Sequence, residues 1–283
     1  MIPSIPGSRG VRLVYRAYVA AFFLWLALPL VTVSVFAFND SGFPALPWLG
    51  FTWDWFTGDE RPRIGLFHER RILSSIWTSA LVAGSVSALS VAVGTTNAFL
   101  FDRYAFRGRG LLYLLTLLPL VVPGIVLGIS ILVFSSRIAT GVQEATGLYV
   151  EALRPGLPLV IAGQFSFITT IATLVISARL QRFDRSLEEA ARNLGASPLT
   201  AVFTVTVPCL APALVGAFVV AFLMSFENFN TTLMLVGSDA PLTITMFDRL
   251  KEGSTPVLNA VSLLLMAGSG ALALVLIAFR RGG

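Results

Sequence analysis

Chemistry needs nucleophiles, bases or metal ligands in workable groups, and this 283-residue chain holds very few. It has one histidine, His68, one cysteine, Cys209, and one lysine, Lys251. A single His and a single Cys far apart build neither a zinc site nor a Cys–His dyad. Lys251 follows Phe247-Asp248-Arg249-Leu250, without the glycine that a phosphate-cradling loop requires. No enzyme constellation results, so the chain is expected to be non-catalytic and to carry no cofactor or metal. His68 reads as a solvent-exposed loop residue. Two other runs are informative by type and spacing. One is Ser225-Phe226-Glu227-Asn228-Phe229-Asn230, a polar run inside an apolar stretch. A carboxylate in hydrocarbon is costly and by default marks a pathway or an ion pair. The other run reads SLEEAARNLGASP from Ser186 and combines acids, alanines and a glycine in helical register.

Composition says what must position these runs. The chain is 55% hydrophobic and 12% charged, with a mean hydropathy of +0.82. Soluble domains carry about 25% charged residues. Disorder needs low hydrophobicity and high charge, and one cysteine cannot staple a secreted domain. A polytopic membrane protein remains. Six apolar stretches are long enough to span a bilayer, at 17–38, 73–101, 110–134, 157–178, 212–236 and 257–279. Each must be a helix, because backbone groups cannot go unsatisfied in lipid. The short alternating segments of a β-barrel are absent. The fold class is therefore an all-α polytopic membrane protein with six transmembrane helices.

The net charge of +5 would point to nucleic acid in a soluble protein. Here its placement sets orientation. With both termini cytoplasmic, the inner side gathers twelve arginines against four acids, Asp102, Asp184, Glu188 and Glu189, and the outer side is net acidic. Residues 1–16 form a basic cytoplasmic segment and 17–283 the six-span domain. Arg9, Arg12 and Arg16 fit either an interfacial anchor helix or a frayed tail. The 17–38 run is longer than a signal-peptide core and reads as a retained span. The long outer loop, 39–71, holds Trp48, Trp53 and Trp55, which suit a headgroup belt or a partner-covering surface. Gly124 and Gly128 have the small-xxx-small spacing of close helix contact. In the fifth span, Glu227 lies about 15 residues in, roughly 22 Å up the helix. It reads as part of a pathway, against the alternatives of a hydrated outer mouth or pairing with a neighbouring chain.

The loop at 179–211 is too patterned for a plain turn. Ser186 and Glu189 have capping-box spacing. Leu187, Ala190, Ala191 and Leu194 form an apolar stripe. Gly195 sits where a left-handed cap belongs, and Ser197-Pro198 offers a new N-cap with proline at the first helical position. A short helix, a glycine turn and a second helix leading into the membrane are expected. The stripe suits either a protein partner or contact with the chain's own bundle or the lipid surface.

Glu189-Ala190-Ala191, then Gly195 after three residues, then Val205-x-Val207-Pro208 after nine more resembles the EAA loop of ABC-importer permeases. Valine stands at both aliphatic positions of that pattern. With the six spans and the chain length, the resemblance covers essentially the whole sequence. It implies a type I ABC importer permease in a bacterial inner membrane. The loop would be a coupling helix seated on a separate ABC ATPase dimer, with Glu188, Glu189, Ala190, Ala191, Asn193, Leu194, Gly195, Ala196 and Pro208 as the coupling residues. Glu189 would serve as a local cap or as an ionic contact to the ATPase. The other implied partners are a second permease subunit, a paralogue by the branch resemblance below, and an extracytoplasmic substrate-binding protein. Nucleic acid is not among them.

The run from Ser225 to Asn259, with its acid after Ser-Phe and its PLTITMFDRLKEGSTPVLNA segment, resembles the spermidine/putrescine-type second permease branch. That implies a polyamine or similar small cation as substrate, with Glu227, Asn228 and Asn230 on its path. The branch typically carries two adjacent acids where this chain has Glu227-Asn228. Permeases for aminoethylphosphonate, opines, ferric iron and sulfate share much of the same skeleton. A stand-alone channel or secondary carrier would leave the patterned loop unexplained, and an integral membrane enzyme would lack its chemistry.

Overall fold

The computed structural model describes residues 9–44, 46–60, 63–253 and 255–281, and every regular element among them is helical. Six helices are long and apolar enough to cross a membrane. The first, α1 (Arg9–Phe36), is continuous, so Arg12 and Arg16 lie in its opening turns and not in a separate anchor or tail. Residues 1–8 and the side chains of Arg9, Arg280 and Arg281 lie outside the described residues. The short α2 (Asp54–Thr57) sits in the outer loop, and α3 (Arg70–Arg103) is the second span.

The third span differs from expectation. The 110–134 stretch is two helices, α4 (Arg109–Val121) and α5 (Gly124–Thr146), and only α5 is long enough to cross. The break falls at Val122, which is extended at φ −78° and ψ 127°. Pro123 follows it, and a proline both lacks an N–H and pushes the preceding residue out of the helical region. Arg137, which follows the expected 110–134 stretch, lies within α5. The fourth span is α6 (Leu157–Leu180), as expected.

Next come α7 (Ser186–Asn193) and α8 (Pro198–Ala201), which runs through a π-helical turn (Val202–Thr206) into α9 (Val207–Phe226). The Val207 N–H donates to the Val202 carbonyl five residues back. The wider turn falls just before Pro208, which has no N–H to hold α-helical register. The fifth span was placed at 212–236; it runs Pro198–Phe226 and stops before Glu227. The separate α10 (Asn230–Leu235) takes up the remainder, followed by α11 (Leu242–Glu252) and the sixth span, α12 (Val257–Arg281).

The described elements fall into two compact units. One comprises Met1–Arg70 with Arg249–Gly268. Its outer loop is folded, not draped: Phe38 stacks on Phe51 at 5.1 Å and meets Trp53 edge-on at 4.9 Å. Trp55 is buried and its indole N–H donates to the Asn39 carbonyl at 2.8 Å. Arg63 pairs with Asp40 and Asp54. Trp55 therefore belongs to the loop's own core, and only Trp48 and Trp53 remain exposed for a belt or a partner.

The other unit, Arg71–Asp248 with Ser269–Gly283, is built on α6. Val160, Ile168, Ala172 and Ile176 of α6 are fully or almost fully buried. Lipid supplies no hydrophobic drive for helix association, so small residues that permit close backbone approach do the work. On α3, Ser90 lies 3.3 Å from the Thr169 hydroxyl, and a Cβ on Gly94 would stand 2.9 Å from the Thr173 nitrogen. Gly124 and Gly128 behave as their spacing suggested: they meet Asn230 and Met234 where α5 lies against α10.

Candidate functional site

Two places in the second unit carry the residues singled out above. The first is the loop around α7. The capping box does not form. Ser186 is the first helical residue, and its amide donates to the Asp184 carboxylate at 2.9 Å. That bond, with a further one from the Ser186 side chain, holds the Asp184 carboxyl below its ordinary range. Asp184 already offers a side-chain acceptor two residues back, so Glu189 is left exposed. Gly195 takes φ +94°, the left-handed region where L side chains are strained. Its Cβ position is open space, so backbone angle and not crowding requires glycine there. The Ala196 N–H bonds the Ala191 carbonyl at 3.1 Å, closing a Schellman turn. Ser197 caps α8 through the Thr200 amide at 3.1 Å, with Pro198 at the first position, as its sequence implied.

The stripe expected on α7 faces outward. Leu187 is 46% exposed and Leu194 90%, while Ala190 and Asn193 are also exposed and Ala191 and Ala196 are half-buried. Leu199 and Phe203 extend this apolar surface onto the next turns, and Pro208 is exposed on α9. Glu188 turns its charged group inward. Its carboxylate pairs with Arg103 at 2.9 Å and accepts from the Thr206 hydroxyl. Arg185 pairs with Asp102 at 3.0 Å.

The second place is the break between α9 and α10. Glu227 lies after the last residue of α9 and is exposed, with no ion pair among the described residues. Its position in mid-span is thus corrected to the end of α9: the helix stops at Phe226, and Asn228 beyond it turns its groups to Thr232 and Thr243. Asn228 Oδ1 accepts from the Thr232 amide at 3.2 Å and the Thr232 hydroxyl at 3.0 Å, which caps α10. The Asn228 carbonyl, freed by the break, accepts from Thr243 at 3.1 Å. Asn230 is exposed at the start of α10. Beneath the break, Gln164 of α6 is 1% exposed. Its Nε2 donates to Thr232 at 2.8 Å and its Oε1 accepts from Ser225.

Sequence reasoning missed Gln164, Thr232, Asp102, Arg103 and Thr206. A lone amide in the apolar 157–178 stretch was the available signal for Gln164. Arg103 and Arg185 were read only as orientation charges. The geometry offers an exposed apolar face on a helix tied by charges to a span, and an exposed carboxylate at a break braced by buried amide and hydroxyl groups.

Comparison with known proteins fits this arrangement. The family described as "Binding-protein-dependent transport system inner membrane component" matches residues 94–281. The putrescine transport system permease protein PotI of Escherichia coli K12 is 28% identical over 251 residues, 88% of this chain and 84% of that protein. The spermidine/putrescine transport system permease protein PotC of Haemophilus influenzae is 26% identical over 258 residues, 91% of this chain and 92% of that protein. A solved bacterial ABC transporter involved in import of the acidic polysaccharide alginate shares the fold, with a TM-score of 0.74 at 16% identity over 95% of both chains. Matched across most of its length, from the last third of the second span to the end of the sixth, this chain belongs to the binding-protein-dependent transport system inner membrane components, the permease family of ABC importers.

Proposed function

We propose that this permease imports a polyamine or similar small cation, with ATP hydrolysed on a partner ATPase dimer that docks on the exposed face of α7. Its termini are cytoplasmic, a paralogous second permease completes the path, and a binding protein delivers substrate from outside. The observation that carries the substrate class is Glu227, an exposed, unpaired carboxylate held at a helix break. A fixed negative charge favours a cation and repels an anion. The names of the relatives, putrescine and spermidine/putrescine permeases, agree with that charge. The exposed Leu187 and Leu194 beside the exposed Glu189 supply the docking face. Glu189 is left with the ATPase-contact role, since Asp184 serves the start of the helix.

The test uses the assembled importer in proteoliposomes. Glu227→Gln should lower putrescine uptake about tenfold, the loss of one partly desolvated charge contact at about 1.4 kcal/mol, with ATPase binding intact. Glu189→Ala combined with Gly195→Val should abolish uptake and release the ATPase on purification. Unchanged uptake of putrescine and spermidine by Glu227→Gln would refute the substrate class. A chain that purifies without any ATPase and still transports would refute the importer mechanism.

A further inference from the structure

We propose that Arg103, at the end of α3, is a positioning residue that makes the loop around α7 move as one body with the membrane spans. This deepens the coupling role proposed above and rests on it. Apolar burial does not hold α7 in place: none of its eight residues is buried. Its neighbours are a turn at 181–185 on one side and Gly195, at φ +94°, on the other. A helix tethered only by turns would pivot when pushed and absorb the push locally.

A chain of alternating charges supplies the missing attachment. Arg185 pairs with Asp102 at 3.0 Å, the Asp102 carboxylate lies 3.6 Å from Arg103 Nε, and Arg103 pairs with Glu188 at 2.9 Å. The Arg103 guanidinium also lies over the Phe183 ring at 5.8 Å. Glu188 then accepts from Thr206, the last residue of the π-helical turn leading into α9. Asp102, Arg103 and Glu188 are only 12%, 15% and 17% exposed, so their attraction is little screened. Arg103 thus joins α3 to α7, and Glu188 joins α7 to α9. Two spans are thus gripped at one end by buried and half-buried polar groups rather than by apolar packing of α7. The π turn is the compliant part of this linkage, because its wider spacing can tighten or loosen without breaking the helix.

The test has two arms. In the purified chain in nanodiscs, amide exchange reports the attachment without any ATPase. Arg103→Gln should speed exchange in α7 about tenfold relative to the parent, with α6 unchanged. In the assembled importer, Arg103→Gln should lower the number of putrescine molecules carried per ATP hydrolysed about fivefold, a coupling loss on the order of one partly buried ion pair. Arg103→Cys with Glu188→Cys in a Cys209→Ser background, joined by a short bismaleimide, should recover that ratio, because a covalent tie replaces a mechanical link but not a charge that touches another protein. Unchanged α7 exchange in Arg103→Gln, an unchanged transport ratio, or no recovery on cross-linking would each overturn the proposal. If the parent chain binds no ATPase at all, the coupling reading fails, and the exchange arm still decides whether the attachment exists.

Discussion

Asn228 offers a sharp separation between a residue on a substrate path and a residue that builds the path. Its Oδ1 accepts from the Thr232 amide at 3.2 Å and the Thr232 hydroxyl at 3.0 Å. Thr232 is fully buried. Asn228→Ala therefore leaves the backbone N–H of a buried residue without its acceptor. A buried donor stranded in this way costs about 1–3 kcal/mol. The lost hydroxyl bond adds about 0.6 kcal/mol, a typical value inside membrane proteins. Thr232 keeps its contact with Gln164, which limits the damage. The sum is about 2–4 kcal/mol, or roughly 5–10 °C in midpoint for a chain of this size. Asn228→Asp keeps an acceptor at the same place and should lose less than about 1 kcal/mol. Asn230→Ala removes an exposed side chain and should sit within about 0.5 kcal/mol of the parent. The single cysteine provides the assay: Cys209 is half-buried, so a thiol-reactive dye reads its exposure during thermal unfolding in detergent. If Asn228→Asp unfolds as early as Asn228→Ala, or if Asn228→Ala matches the parent, the capping account is wrong.

Two further outcomes follow from local geometry. A Cβ at Gly94 would stand 2.9 Å from the Thr173 backbone nitrogen, whereas one at Gly163 would meet the flexible end of Leu235. Gly94→Ala should thus cost about 1–3 kcal/mol through overpacking and Gly163→Ala distinctly less, measured by the same dye assay; the opposite order would refute the close α3–α6 approach. Asp184 has its carboxyl held below the ordinary 3.8 by the Ser186 amide. A lowered folded value means that its support for the start of α7 is full above that pH and disappears as pH falls through the lowered value. Exchange of the first α7 amides, taken relative to their intrinsic rates at each pH, should therefore rise on acidification below about pH 4 in the parent. In Asp184→Asn it should already be raised at neutral pH. A pH-independent first turn would remove Asp184 from that role.

Much of this was legible along the chain because it depends on local chemistry. Gly195 announces a left-handed turn, and Ser197-Pro198 a helix start, since caps need only neighbouring residues. The capping box expected from Ser186 and Glu189 fails for the same local reason: Asp184 competes for the Ser186 amide from two residues upstream, and spacing does not say which acceptor wins. The third span was misplaced because hydropathy runs unbroken through Val122-Pro123 while the backbone does not. The fifth was extended past Glu227 because apolar residues resume in α10, although the helix has already ended.

By itself the sequence determined the medium, the six spans, the patterned loop and the family, because composition, hydropathy and cap chemistry are sums over neighbouring residues. The tertiary structure alone decided the partnerships. Glu188 and Glu189 are adjacent and chemically identical, yet one turns inward to Arg103, 85 residues earlier in the chain, and the other remains exposed. Gln164 reaches Thr232 and Ser225 across two helices, which converts an isolated amide in a span into the brace of a break. Such pairings depend on helix azimuth and on the approach that Gly94 and its neighbours permit. A helical rotation of about 100° per residue separates one acid's surroundings from the next, and only packed helices fix which direction is inward.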